Sequence, residues 1–204
     1  MSEIKLNHFR SRWSREVLSG DRTPGSLAPV VIFENGERIA QHMRWGLIPA
    51  RSESDRLDHS TYNARAERIS ETATYRAAWR KGRRCLIPAE GFYERKRYFF
   101  LRDAKLMMLA GLWDEWKNPM GGMLRSFTII TTEPNELVAR IHSRMPVIIA
   151  REGWAKWLGD EVASEDHLKA LLMPYPAALM DASLPPGTER ERSAPDDEGQ
   201  LQLL

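Results

Sequence analysis

Phe127-Thr128-Ile129-Ile130-Thr131-Thr132 is an apolar, β-branched run, and after a short polar hinge Glu136-Leu137-Val138-Ala139-Arg140-Ile141 reads as a helical turn ending at His142. Val147-Ile148-Ile149 follows Pro146 as a second apolar strand. Two buried strands joined through one turn make this region sheet-forming. They also set His142 and Arg144 at a junction between buried elements. Imidazole beside guanidinium suits proton chemistry on an anionic ligand. The bland alternative is a core histidine, and the remainder of the chain has to decide between them.

Strand signals recur on the N-terminal side. Val30-Val31-Ile32-Phe33 and the run from Ile39 to Trp45 flank Glu34-Asn35-Gly36-Glu37, where Asn-Gly accepts positive φ at both turn positions and predicts a hairpin. Trp45-Gly46-Leu47-Ile48-Pro49 then leads into a polar loop reaching about His59. Ser70 is placed to cap a helix through Tyr75-Arg76-Ala77-Ala78-Trp79-Arg80, with Gly82 ending it. Arg84-Cys85-Leu86-Ile87-Pro88 reads as a buried strand. Phe92-Tyr93, Tyr98 to Leu101 and Leu106 to Trp113 continue as strands, with turns at Arg95-Lys96-Arg97 and Asn118-Pro119. Helices are expected over Glu152 to Leu158 and, capped by Ser164, over Glu165 to Leu172.

The sum is a β-rich α+β domain. With 204 residues, 42% of them hydrophobic and seven of them Trp, the chain suffices for one sizeable core. We expect a divergent N-terminal segment over 1–28, with a short helix near Ser14 to Leu18, a domain over 29–184, and an acidic, flexible tail over 185–204.

Charge and cysteine content narrow the function classes. From Arg44 to Arg97 there are 13 Lys and Arg against 7 Asp and Glu, and from Pro185 onward 2 against 5. A middle carrying +6 suits a polyanion such as nucleic acid, although a solvated charged face is at least as common. A single cysteine, Cys85, excludes an internal disulfide and a four-cysteine metal site, and points to a reducing compartment. No apolar run approaches the length of a membrane span, and Met1-Ser2-Glu3-Ile4-Lys5 does not open a secretory signal, so a cytoplasmic protein is expected.

Three polar sites interrupt apolar context. Tyr62-Asn63-Ala64-Arg65-Ala66-Glu67 offers an amide and a guanidinium two residues apart, on one side if the segment is extended. Gly91-Phe92-Tyr93-Glu94 puts a carboxylate at the end of an aromatic strand. Ile141-His142-Ser143-Arg144 adds imidazole and guanidinium. Together they could hold a phosphate and move a proton, with Glu and His as acid and base. Taken singly each has a plainer role. Asn63 fits a helix cap, Glu94 a surface partner of Arg95 or Lys96, and His142 a helix C-cap favoured by the dipole.

Five ordered blocks alter that balance. Met43-Arg44-Trp45-Gly46-Leu47-Ile48-Pro49, Asn63-Ala64-Arg65-Ala66-Glu67, Arg84-Cys85-Leu86-Ile87-Pro88-Ala89-Glu90-Gly91-Phe92-Tyr93-Glu94, Ala110-Gly111-Leu112-Trp113 and His142-Ser143-Arg144-Met145-Pro146-Val147-Ile148 resemble the SRAP family in order and spacing. These SOS-response-associated peptidase-like proteins shield abasic sites in single-stranded DNA. The resemblance covers roughly residues 30–180 and implies a curved, barrel-like mixed sheet flanked by short helices, with no metal or cofactor. It further implies that Asn63 positions the sugar or the N-terminus, that Glu94 assists proton transfer, and that His142 serves sugar opening or imine formation. Arg65 and Arg144 would hold backbone phosphates and Thr131 would add a hydrogen bond.

In that family a cysteine follows the initiator Met, and its amine and thiol close a thiazolidine on the abasic aldehyde. Here position 2 is Ser2. A hydroxyl is a poorer partner than a thiol, so the expected chemistry is a Schiff base on the Ser2 α-amine, with transient trapping or strand cleavage by a lyase route. Arg51 and Arg95 stand where the family usually has Trp, an exchange that trades stacking for phosphate affinity. Two further functions remain open: a single-stranded DNA binder without covalent chemistry and, ranked last, a thiol peptidase using Cys85 and His142.

Overall fold

The computed structural model describes residues 22–95 and 97–184. Alternation of side chains builds its main sheet. In β1 (Leu27–Glu34), Val30 and Ile32 point to one buried face and Val31 to the other. In β4 (Arg84–Ala89), Cys85 and Ile87 oppose Leu86 in the same way. In β7 (Met107–Lys117) Leu109 and Trp113 oppose Met108, Ala110 and Leu112, and in β8 (Met123–Thr132) Phe127 and Ile129 oppose Ile130. Strands apolar on both faces belong in the middle of a layered structure, and here the two faces serve two cores.

The inner face closes on itself. β1 pairs antiparallel with β2 (Glu37–Trp45) through Asn35 and Gly36, both at positive φ as the hairpin signal requires. β1 also meets β4, β4 meets β7, and β7 meets β8, all antiparallel. β2 then returns to β8 in a short parallel seam, Arg44 to Ser126 and Trp45 to Phe127, completing a barrel of five strands. The chain leaves that seam at Gly46, whose N–H donates to the Phe127 carbonyl oxygen at 2.8 Å. Its φ of 123° and the Tyr62 ring, 2.9 Å from where a Cβ would sit, require glycine there.

The outer face is covered by helices. Ala73–Arg80 contributes Tyr75, Ala78 and Trp79, Trp154–Leu158 contributes Trp157 and Leu158, and Glu165–Ala170 contributes Leu168. Trp157 is wholly buried and donates its indole N–H to the Cys85 carbonyl oxygen at 2.9 Å, which pins its helix to β4. Ser164 caps the Glu165 helix as expected, accepting from the His167 N–H. Ser70 does not cap its helix. Ala66–Arg68 forms a 3-10 turn that takes up the chain as far as Glu71, and the N-cap falls on Thr72, whose hydroxyl donates instead to the Arg68 carbonyl oxygen.

Two departures from the barrel build its mouth. β3 (Asn63–Arg65) extends the parallel seam along β8, pairing Asn63 with Ile129 and Arg65 with Thr131. β7 and β8 pair only as far as Gly111 and Ile129, and the segment from Met145 to Ile149 fills the gap between them. The Val147 N–H donates to the Ile130 carbonyl oxygen and the Ala110 N–H to that of Val147, both at 2.8 Å. Only Met145–Pro146, β9, is regular strand, so the expected strand at 147–149 is present as a bonded wedge rather than a long ladder. A second sheet, β5 (Gly91–Glu94), β6 (Arg97–Leu101) and β10 (Met180–Ser183), is antiparallel throughout.

Gly111 marks how tightly the barrel is filled. A Cβ there would lie 2.6 Å from both Ile87 Cδ1 and the Thr128 carbonyl oxygen and 2.9 Å from Cys85 Sγ. Gly111→Val is expected to destabilise the fold by about 2 kcal/mol or more through overpacking, read as a lower urea midpoint. An unchanged midpoint would show that the interior can yield.

Candidate functional site

Each wall of the mouth is positioned by a separate element. On β3 the pleat sends Ala64 into the outer core and leaves Asn63 and Arg65 exposed on the opposite face. The strand is held from both sides: Tyr75 donates its hydroxyl to the Asn63 carbonyl oxygen at 3.1 Å, and Trp45 its indole N–H to that of Tyr62 at 2.9 Å. Burial raises the Tyr75 hydroxyl above its ordinary pKa, which keeps it a donor. Across the seam Thr131 lies opposite Arg65. β5 ends at Glu94. The turn Val138–Arg140, shorter than the helical turn expected, is entered through Asn135, whose side-chain oxygen accepts from the Leu137 and Val138 N–H groups. It delivers His142, whose N–H closes on the Val138 carbonyl oxygen.

Asn63, Arg65, Glu94, Thr131, His142 and Arg144 all line one cleft of about 640 Å³. Its buried lining, including Ile87, Leu109, Phe127, Ile129 and Met145, comes from the inner core of the barrel. The sequence therefore brought six of its candidate residues to one place. Arg51 is not among the lining residues; its guanidinium donates to the Ala73 carbonyl oxygen. Ser2, like the helix expected near residues 14–18 and the tail over 185–204, lies outside the described residues.

His142 is neither a core histidine nor a simple helix cap. Its Nδ1 accepts the Arg144 N–H at 3.2 Å when unprotonated, and lies 3.0 Å from the Arg144 carbonyl oxygen, to which it donates when protonated. Either state is satisfied by the same backbone. Glu94 Oε1 stands 3.8 Å from Nδ1. Nε2 makes no hydrogen bond among the described residues, so it is the nitrogen left to exchange a proton. The side-chain amide of Asn63 and the guanidinium of Arg65 likewise make no hydrogen bond among the described residues, although the Arg65 charge acts on Glu67.

Arg144 differs. Its fork is bidentate on Glu67, at 2.7 and 2.9 Å, and Nη2 also donates to the Thr131 carbonyl oxygen at 2.6 Å. Nε is buried without an acceptor. The loop that presents His142 is thus tied to the end of β3 and to β8. Cys85 stays outside the cleft: it is fully buried, and desolvation pushes its thiol well above the ordinary range. A thiol peptidase built on Cys85 and His142 needs an accessible thiolate, and a thiol buried outside the cleft speaks against it.

Sequence reasoning did not single out several lining residues. Trp45, stacked on Phe127 with centroids 6.3 Å apart, and Tyr93 and Tyr98 at 4.9 Å give the cleft aromatic walls. Trp45 and Tyr93 sit inside distinctive blocks, but aromatic residues in strands read as core. Glu67 sits in the Asn63 block, and its partner Arg144 is 77 residues away. Among the described residues no group of three or more His, Cys, Asp or Glu could hold a metal ion, and no helix is long and apolar enough to cross a membrane.

The structure is a closed small barrel with an imidazole–carboxylate contact at its mouth, and comparison supplies the family. The chain belongs to the SRAP (SOS response associated peptidase) family, whose model matches residues 11–184. It is 41% identical over 168 residues to the abasic site processing protein YoqW of Bacillus subtilis (strain 168), covering 78% of this chain and 75% of that one. It is 32% identical over 192 residues to the abasic site processing protein HMCES of Xenopus tropicalis, covering 75% of this chain and 57% of that longer one. Among solved structures, a protein from Bordetella bronchiseptica superposes with a TM-score of 0.74 at 29% identity, covering 82% of this chain and 87% of that one. One from Bacteroides thetaiotaomicron gives 0.70 at 29%, covering 78% and 74%.

Arg144 holds the Glu67 carboxyl below its ordinary value of 4.5, chiefly through their hydrogen bonds. A carboxyl with a lowered folded-state pKa stabilises the fold above its unfolded pKa, and that contribution is lost as pH falls through the folded value. The urea midpoint of the wild type is expected to drop below about pH 4 more steeply than that of Glu67→Gln, by a modest margin because Glu67 is half exposed. Parallel acid limbs in the two proteins would remove the brace.

Proposed function

We propose that the cleft binds the opened sugar of an abasic site in single-stranded DNA and processes it through an amine. The observation that carries this is the pairing of His142 with Glu94 in one cleft with the Asn63 amide and the Arg65 guanidinium. An abasic nucleotide offers a deoxyribose, a latent aldehyde and flanking phosphates, but no base. A cleft with an apolar floor, polar walls and a guanidinium suits that set of groups. The names of the relatives at 41% and 32% identity support the same substrate.

The chain's own groups divide the work. His142 Nε2 takes the proton of the anomeric hydroxyl and returns one to the ring oxygen, opening the sugar to the aldehyde. Glu94 stabilises the imidazolium that forms between those two transfers. The attacking amine is the α-amine of Ser2 once Met1 is removed, a group with a reference pKa of about 8. Its nitrogen bonds to the aldehyde carbon, the carbonyl oxygen leaves as water with both amine protons, and an imine remains. Asn63 donates to a sugar hydroxyl and fixes the orientation. Arg65 contacts a backbone phosphate, while Arg144, committed to Glu67 and Thr131, keeps the His142 loop in place.

Borohydride reduction of a mixture with a single-stranded oligonucleotide containing one abasic site should give a band that survives denaturing electrophoresis. His142→Ala and Glu94→Gln are expected to slow its formation by about 100-fold at unchanged Tm. No band under any condition would eliminate the amine chemistry and leave the non-covalent binder. Separately, Arg65→Ala should weaken binding to all strand sequences alike and reduce the slope of log K against log salt by about 0.7. A slope that does not move would take Arg65 off the phosphates.

A further inference from the structure

Among the described residues, two hairpins are closed by two residues. One lies between the paired Glu34 and Glu37, the other between the paired Glu94 and Arg97. Strand twist makes the same demand on both, a turn whose first central residue has positive φ. The first hairpin meets it with Asn35 at 54° and Gly36 at 81°, residues that enter the left-handed region at small cost. The second meets it with Arg95 at 44°. A long side chain is disfavoured there by contact between its Cβ and the following carbonyl oxygen. Among the described residues Asn35 and Arg95 are the only non-glycine residues at positive φ. One hairpin obeys local preference and the other gives it up.

What the second turn gains is charge beside the cleft. Tyr93, Glu94 and Tyr98, on either side of the turn, line the cleft. Arg95 follows Glu94 directly, Arg97 is its partner across the ladder, and both are exposed. Neither makes an ion pair or hydrogen bond among the described residues. Arg38, Arg44, Arg83, Arg102, Arg125 and Arg144 are each matched to a carboxylate, whereas Arg95 and Arg97 stand with the exposed arginines, among them Arg68 and Arg140, that are not. A strained, uncompensated cation is explained most simply by a ligand that supplies the missing negative charge.

We infer that Arg95 and Arg97 form a clamp for backbone phosphates of the single strand flanking the nucleotide in the cleft. This rests on the cleft being the nucleotide site and extends it to the strand on the β5–β6 side. Contacts of this type are independent of sequence and sensitive to salt. They lengthen the bound strand without changing the chemistry inside the cleft.

Arg95→Asn separates turn from charge, because asparagine tolerates the left-handed conformation. In the full chain it should raise Tm, yet weaken binding to a strand of about 15 nucleotides several-fold and lower the salt slope by about 0.7. Adding Arg97→Gln should lower the slope by a further, similar step. Arg95→Lys should keep the wild-type slope. Borohydride trapping of free 2-deoxyribose, which carries no phosphate for the clamp to hold, should be the same in all of these proteins. Unchanged affinity and slope in the double variant would overturn the clamp while trapping still reports on the cleft. If trapping fails in the wild type, the salt slopes on an unmodified strand still decide whether the two arginines hold phosphate.

Discussion

The parallel seam between β2 and β8 is the constraint on which the rest depends. It joins only Arg44 to Ser126 and Trp45 to Phe127, yet it converts an open antiparallel sheet into a barrel. Closure leaves the far end of β8 with two free edges. One receives β3 and the other the Met145–Ile149 wedge, and those two additions bring Asn63, Arg65 and Arg144 to the mouth. Phe127, wholly buried and stacked on Trp45, holds the seam from inside, a burial worth roughly 2–3 kcal/mol.

Around that frame, polar groups are treated in two ways. Some are fully engaged: Asp114 is buried, paired with Arg83, and accepts the Ala50 and Glu115 N–H groups, fixing the loop beyond Gly46. Arg125 bridges Glu34 and Glu115 beside the Trp113 ring. Others at the mouth, the side chains of Asn63 and Arg65 and His142 Nε2, make no hydrogen bond among the described residues. Engaged groups hold shape, and open groups are available to a ligand. Arg144 combines the two, since its side chain is spent on Glu67 and Thr131 while its backbone serves His142.

Much of this was legible in the sequence, for local reasons. Alternation gave the strands, Asn35-Gly36 gave the hairpin, and the two-residue spacing of Asn63 and Arg65 gave a shared face. The ordered blocks gave the family and with it the barrel-like sheet. What could not be read were the long-range choices. Nothing near Arg44 announces a parallel partner at Ser126, and nothing near Glu67 announces Arg144. The Ser70 cap failed because a 3-10 turn displaced the helix start by two residues, a competition between local geometries that pattern alone does not rank. The wedge at Val147–Ile149 read as an ordinary strand because its apolar pattern is the same whether it forms a ladder or fills a gap.

The placement of β3 and the wedge on the last residues of β8 also has a bearing on synthesis. The cleft draws together residues from 22 to 146, and the two seams at its mouth cannot form until β8 has left the ribosome. The β1–β2 hairpin and the β4–β7 ladder have close partners and can assemble earlier, since short loops cost least to close. A nascent chain can therefore hold much of its sheet while its cleft does not yet exist. Capacity to engage a ligand arrives late and nearly all at once, with the emergence of the segment that follows His142.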